Sequence, residues 1–423
     1  MPSYFFLIVF AILMVIRVPI GFSLGISCAF YFITAGTPLI TIPQMIVHTF
    51  DTFTLLAIPL FMLAGHLMNS GGVTDRLFGF AKACVGHIPG GLAQVNVFAS
   101  LIFAGMSGSA TADAAGLGTI EIEAMKKEEY DPAFAAAVTA ASSTVGTIMP
   151  PSLGFVVYGA MTGTSVGALF VAGFIPAIVM TVFMMLVVFI LSKKMEFPVE
   201  ERATLKELWI SLRGAFFPLL SPIIILGGII TGIVTPTEAA VIATIYAVFL
   251  GIYYRELTVK SMLADFLKVG KIASKVMLII SLALVFGWIL TYERIPNRAM
   301  ELLFAVSENK FVILVILNFM ILFLGLFMEG ISIKLITLPI LLPILRTANI
   351  DLLHYGVLME LGLNIGLITP PIGVFIYLCA DIAGASFERV TRMLLPFILI
   401  LIVVLFLVTF VPGLALYLPS RIM

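Results

Sequence analysis

Charge is scarce in this chain. Asp, Glu, Lys and Arg make up 11% of its 423 residues, and 23 basic side chains cancel 23 acidic ones. Without net charge, the chain as a whole has no basic footprint for nucleic acid. Cysteine and histidine are scarcer still, at three and four residues. Cys28, Cys84 and Cys379 lie in or beside apolar segments with no CxxC or metal-ligand spacing, so they read as small packing residues. The histidines are scattered and form no metal set. No GxxxxGK[ST] segment occurs, which argues against ATP hydrolysis in this chain. Nothing resembles a nucleophile motif either, so an enzyme is not expected.

Apolar residues fill the place that charge leaves. They amount to 61% of the chain, with a mean hydropathy of +1.19. Apolar stretches near 20 residues recur, the length needed to cross a hydrocarbon core of roughly 30 Å. The expectation is an all-α, multi-pass protein of a bacterial inner membrane, embedded in the lipid bilayer. The first apolar run starts at Phe5 with no basic residues before it and no small-residue cleavage pattern after it. It reads as a retained helix rather than a signal peptide.

One motif occurs twice. Gly146-Thr147-Ile148-Met149-Pro150-Pro151 recurs as Gly366-Leu367-Ile368-Thr369-Pro370-Pro371, 220 residues on, inside another apolar segment. Two prolines without N–H groups cannot continue an α-helix. In a membrane such a break frees carbonyls where no water can satisfy them. Paired Gly/Pro interruptions at matching places in two halves point to a transporter binding site. Other landmarks repeat in the same order: Pro19 with Pro236, Gly65 with Gly287, and Gly105 with Gly325. The chain therefore reads as two repeats, 1–190 and 214–423, joined by a cytoplasmic linker over 191–213.

Each half is expected to hold five crossings and one hairpin that enters and leaves on the same side. The first half has spans near 4–16, 22–35, 54–70 and 168–190, a hairpin at 93–124 and a broken helix at 132–165. The second has 214–234, 237–253, 271–291 and 393–416, a hairpin at 311–345 and a broken helix at 352–383. The more polar stretches 71–92, 256–268 and 293–308 read as amphipathic helices at the interface. An odd number of crossings inverts one half relative to the other. Of the 23 basic residues, Arg294, Arg298, Lys310, Arg346 and Arg421 fall on one side and Lys334 within the second hairpin, leaving 17 on the opposite side. That side is expected to be cytoplasmic, with both termini periplasmic.

Polar residues cluster where the chain breaks. Gly105–Gly116 is too small and polar to face lipid for long. A turn near Ser107–Ser109 would present N–H groups to an anion and carbonyls to a cation; small residues also serve close helix packing. Ser142, Ser143 and Thr144 precede the first break, and Asn364 and Thr369 flank the second. Such hard oxygen ligands suit Na⁺, whereas proton carriers more usually show carboxylate or histidine relays. Asp113 and Glu329 lie in the hairpins, and Glu360 and Asp381 read as nearer helix ends. Lys334 reads either as a partner for an anionic substrate or as an ion pair with Glu329. Glu238, after Thr235-Pro236, reads as a helix cap.

At these residues the chain resembles the large membrane subunit of the tripartite ATP-independent periplasmic (TRAP) transporters. The segments that carry the likeness are Arg17–Gly21, Ala57–Phe61 with Ala64-Gly65, Gly105–Asp113, Gly146–Pro151, Thr235–Ala239 and Gly366–Pro371. The resemblance implies an elevator carrier, with an outer scaffold around a mobile domain of two hairpins and two broken helices. It implies Na⁺ coupling, a small four-helix membrane subunit, and a periplasmic binding protein that delivers an organic acid such as a C4-dicarboxylate or sialic acid. On this chain it implies one Na⁺ site around Ser107, Gly146 and Met149, and a second around Gly325, Gly366 and Thr369. Substrate is expected near Ser109, Thr111, Ser152, Ser332 and Asn364. Glu329 and Lys334 depart from the commoner Asp and apolar residue, a difference that bears on substrate class. A stand-alone carboxylate carrier of related fold is the alternative, and an anion channel a weaker one for want of a continuous polar path.

Overall fold

The computed structural model describes residues 4–195 and 197–423, with the side chain of Ser107 outside the described residues. Among the described residues the regular structure is entirely helical. Helices α1 (Phe5–Val15), α2 (Ile20–Ala35) and α3 (Thr41–Phe50) lead into a 3-10 turn (Phe53–Leu56), α4 (Ala57–Ser70) and α5 (Val73–Val85). A first hairpin follows, made of α6 (Leu92–Ser107), α7 (Ala110–Ala115) and α8 (Leu117–Lys127). Next come α9 (Pro132–Ser142), a 3-10 turn (Ser143–Thr147), α10 (Leu153–Thr162) and α11 (Val166–Met195). The remainder comprises α12 (Leu205–Ile230), α13 (Pro236–Tyr253), α14 (Val259–Tyr292), α15 (Ile295–Val306), α16 (Lys310–Gly325) and α17 (Gly330–Thr347). It closes with α18 (Leu352–Leu367), α19 (Val374–Ala383), α20 (Phe387–Phe410) and α21 (Gly413–Ile422).

Seven of these helical segments are long and apolar enough to cross a membrane, or eight if α15 and α16, bent by 120°, count as one span. Large apolar side chains stand exposed on the outside, Val15, Ile233 and Ile245 among them, as expected of a lipid-facing surface. The protein is therefore a multi-pass membrane protein.

The most enclosed helices are the two that break. Every residue of α9 from Ala133 to Ser142 is buried, and so is α18 from His354 to Gly366. Both start alike. Asp131 caps α9 by accepting from Ala133 N–H (2.8 Å), with Pro132 as the first helical residue. Asp351 caps α18 by accepting from Leu353 (2.8 Å) and His354 (3.1 Å). Small Ala side chains let α9 lie close to its neighbours. The two ends of the first hairpin lie side by side, where Leu92 N–H donates to the Tyr130 hydroxyl (3.2 Å).

Several extents differ from the expected ones. The stretch 256–268 is no separate interfacial helix. From Val259 onward it is the start of the single helix α14. The expected crossing 393–416 ends at Phe410, and α21 follows beyond Pro412. Helices α11 and α12 both run into the expected linker 191–213. Helix α3 has no counterpart in the sequence reading. Glu238 caps as expected: Thr235 N–H and hydroxyl both donate to its carboxylate at 2.8 Å.

Candidate functional site

The two hairpin turns and the two helix breaks meet in the interior. Gly108, in the first turn, accepts from Leu153 N–H (3.2 Å), so the hairpin is sewn to the start of α10. Pro150 and Pro151 cannot donate back to Gly146 and Thr147. The Thr147 carbonyl is taken instead by the hydroxyl of Ser152, whose oxygen also caps α10 through Phe155 N–H (3.2 Å). At the second break Thr369 N–H donates to Gly366 O (3.0 Å), and its hydroxyl donates to Ile365 O (2.5 Å).

The second turn and second break touch backbone to backbone. A Cβ placed on Gly366 would fall 2.6 Å from the Gly325 Cα, and one on Gly325 would fall 2.9 Å from the Gly366 Cα. Only two glycines permit this crossing. At the first break, a side chain on Gly146 would collide with the Asp113 carboxylate. Met149 is half-buried and lines a separate apolar cavity with Gly105 and Pro150. The side chain of Ser107 lies outside the described residues.

Between these parts lies a polar cavity of about 80 Å³. Ser109, Thr111 and Asn364 line it, as do Thr147, Gly154, Glu329, Lys334 and Glu360. Ser152 and Ser332 do not line it. Ser152 is turned to its capping role, and Ser332 donates to Glu329 from its backbone (3.3 Å) and its hydroxyl (3.4 Å). The hydroxyls of Ser142, Ser143 and Thr144 are likewise engaged: Ser142 donates to Asn96 Oδ1 (2.6 Å), Ser143 to Thr139 O (2.6 Å) and Thr144 to Ala141 O (2.6 Å).

Two sequence expectations change here. Lys334 pairs with Glu360 rather than Glu329, and the side chains of the pair are 2% and 4% exposed. Glu360, read as nearer a helix end, is thus at the centre. Its remaining oxygen lies 3.4 Å from Asn364 Nδ2, which also donates to the Glu360 carbonyl (2.7 Å). Gly154 completes the arrangement, since any side chain there would strike both members of the pair. The i, i+4 spacing of Glu360 and Asn364 put them on one helix face. Nothing in the sequence showed that α10 would press Gly154 onto that face.

The family model described as "Tripartite ATP-independent periplasmic transporter, DctM component" matches residues 7–414. The chain belongs to this family. It is 41% identical over 404 residues to the sialic acid TRAP transporter large permease protein SiaM of Vibrio cholerae, covering 95% of each chain. It is 39% identical over 402 residues to the C4-dicarboxylate TRAP transporter large permease protein DctM of Pseudomonas aeruginosa, covering 94% of each. Among solved structures, the Alcanivorax borkumensis YdaH transporter superposes with a TM-score of 0.69 at 14% identity, covering 89% of each chain. Neisseria gonorrhoeae MtrF gives 0.63 at 13%, covering 87% of this chain and 83% of the other. Those two likenesses concern the fold. The sequence relatives are permease components of transporters, not enzymes.

Proposed function

We propose that this chain is the large subunit of a Na⁺-coupled importer in the bacterial inner membrane. It takes an organic acid from a periplasmic binding protein and works beside a small four-helix membrane subunit. The observation that carries this reading is the polar cavity enclosed by both hairpin turns and both helix breaks. Relatives named for sialic acid, C4-dicarboxylates and 2,3-diketo-L-gulonate all handle organic acids.

In this reading the chain consists of two inverted repeats. The hairpins and broken helices form a body that moves as an elevator within a frame of α1–α5 and α12–α15. Na⁺ is cargo, held at the first break by oxygens around Ser107, Gly146 and Met149 and at the second by Gly325, Gly366 and Thr369. The carbonyl of Gly146 lacks an i+4 donor because residue 150 is proline, which leaves it suited to a cation. At the second break Gly366 O already accepts from Thr369 N–H (3.0 Å) and would bind a cation through its second lone pair. Substrate docks among Ser109, Thr111 and Asn364, which line the cavity; Ser152 and Ser332, which do not line it, would reach the acid only once the break and the turn have moved. A cavity of about 80 Å³ is far below the ~300 Å³ of ordinary ligand sites, so the turns must part to admit an organic acid.

Sidedness agrees with this arrangement. Contacts join residues assigned to the same face: Lys126 donates to Ala383 O (2.9 Å), Arg389 pairs with Asp131 (3.0 Å) and Lys82 with Glu200 (2.6 Å). The test is uptake into proteoliposomes, after a thermal-shift screen of the cognate binding protein has named the acid. Uptake is expected only with the complete assembly and an inward Na⁺ gradient. Robust uptake by this chain alone would defeat the tripartite assignment, and equal uptake with K⁺ replacing Na⁺ would defeat the coupling.

A further inference from the structure

A second concavity lies well away from the polar cavity, where α5, α12 and α13 converge. It is an open groove of about 900 Å³. Its cations are Arg76 and Arg213, and no carboxylate lines it among the described residues. Arg76 is fixed in place: its guanidinium stacks 3.7 Å from the Tyr254 ring centroid and donates to Gly72 O. The Tyr254 hydroxyl in turn reaches Gly214 O at 3.4 Å, tying α12 to the end of α13. Arg213 is exposed and has no ion pair among the described residues. Around the two guanidiniums the walls are apolar. Phe217 meets Tyr253 edge to face (5.4 Å), and Trp209 is 66% exposed on the outer rim.

This combination fits one kind of occupant. Two arginines in a groove whose lining holds no carboxylate suit a phosphate, the neighbouring Glu256 lying behind Arg76 at Gly72. Guanidinium groups bind phosphate through paired N–H donors. Free phosphate would have no use for the aromatic and aliphatic walls. An anionic lipid uses both, with its phosphate between the arginines and its acyl chains along Trp209 and Tyr253. Basic pockets between membrane helices are known to hold such headgroups. Arg76, Arg213 and Lys206 all fall on the face that the charge distribution assigns to the cytoplasm. The geometry points to a binding site for an anionic phospholipid of the phosphatidylglycerol type, clamped by Arg76 and Arg213 and rimmed by Trp209 and Tyr253.

Native mass spectrometry on the purified, delipidated full-length chain tests the site. It is titrated with palmitoyl-oleoyl phosphatidylglycerol, with the zwitterionic ethanolamine analogue, and with glycerol phosphate alone. Phosphatidylglycerol is expected to remain bound preferentially. Arg213→Gln should lower its occupancy about five-fold, the worth of one basic residue at a membrane surface. Arg213→Lys, which keeps the charge, should lose less, and Arg202→Gln in the linker should change nothing. Equal retention of both lipids, or equal loss in the Arg202 variant, would overturn the site. So would displacement of the lipid by equimolar glycerol phosphate, or its exclusion by a co-purified small membrane subunit, which would make the groove a protein interface.

Discussion

Lys334 and Glu360 are buried together, and such pairs behave asymmetrically under mutation. Removing one partner leaves an uncompensated charge, at a cost of about 3–5 kcal/mol, whereas replacing both with apolar residues is often neutral or better. Lys334→Met and Glu360→Gln should each lower the thermal midpoint in detergent clearly. The double variant Lys334→Met/Glu360→Leu should recover most of the loss. Equal destabilisation by all three would mean that the pair holds no coupled energy. Thr369→Ala addresses a different atom. Loss of its hydroxyl should raise the Na⁺ concentration for half-maximal uptake several-fold, and an unchanged Na⁺ response would leave only backbone coordination there. Single residues were unevenly legible. Ser109, Thr111 and Asn364 stood out as polar groups in apolar surroundings and do line the cavity. Thr147 and Gly154 carry no such mark in sequence, because their position depends on how the break turns α10 back toward α18.

Elements were most legible where breaks and caps are written in the local sequence. Both hairpins, both broken helices and the Thr235–Glu238 cap follow from Gly, Pro and hydroxyl placement. Helix α3 is not marked in this way: it is short, and its Pro43 lies in the first turn, where proline is tolerated. Helix α14 joins the polar stretch 256–268 to the apolar crossing 271–291 through Lys268, Gly270 and Lys271. Neither lysine nor a single glycine stops a helix, and long lysine stems reach past apolar surface to water. The crossing of Gly325 and Gly366 is an element-level contact with a direct test. Gly366→Ala should force the second hairpin off the break and reduce uptake at least ten-fold. Gly227→Ala, where no atom lies within 4 Å, should leave uptake intact and favour the helix by up to about 1 kcal/mol. Similar effects from the two would remove the crossing from the mechanism.

The polar link at the linker gives a pH-dependent expectation at the same level. Lys82, hydrogen-bonded to Glu200, holds that carboxyl below its usual range, while burial and the Glu200 charge push Glu128 up. A depressed carboxyl stabilises the fold above its unfolded pKa and loses that contribution as pH falls through the folded value. Lys82→Met should therefore destabilise by under about 1 kcal/mol at pH 7, since the pair is partly exposed, and by less near pH 4. A pH-independent difference between the two proteins would remove Glu200 from the account.

At the level of the whole molecule, the helices proposed as the frame are cross-braced by hydrogen bonds. Thr237 donates to Phe53 O and Thr244 to Leu60 O, each at 3.0 Å. Glycine meets proline at two helix crossings that would lie between body and frame in the proposed elevator: Gly105 against Pro222, and Gly287 against Pro339. Those contacts offer no side-chain hydrogen bond to break if one body slides past the other. Paired cysteines at 105 and 222, in a background with Cys28, Cys84 and Cys379 replaced by serine, should stop uptake when bridged and restore it when reduced. Undiminished uptake by the bridged protein would exclude relative motion at that contact. The sequence could suggest two repeats and a two-body machine, but not which glycine would face which proline.

The Lys334–Glu360 pair also bears on the electrical work of transport. A charge carried across the membrane potential gains or loses about 2.3 kcal/mol per 100 mV, whereas a neutral pair crossing together does no net work. If the proposed elevator carries this pair across the membrane, the empty carrier returns without this lysine and glutamate registering the voltage. In that proposed cycle, Lys334→Met leaves Glu360 without its partner. Where Glu360 stays ionised rather than taking up a proton, the moving body carries one more negative charge and its return step becomes voltage-sensitive. Turnover measured at a series of clamped diffusion potentials should then depend on voltage in the variant more steeply than in the parent.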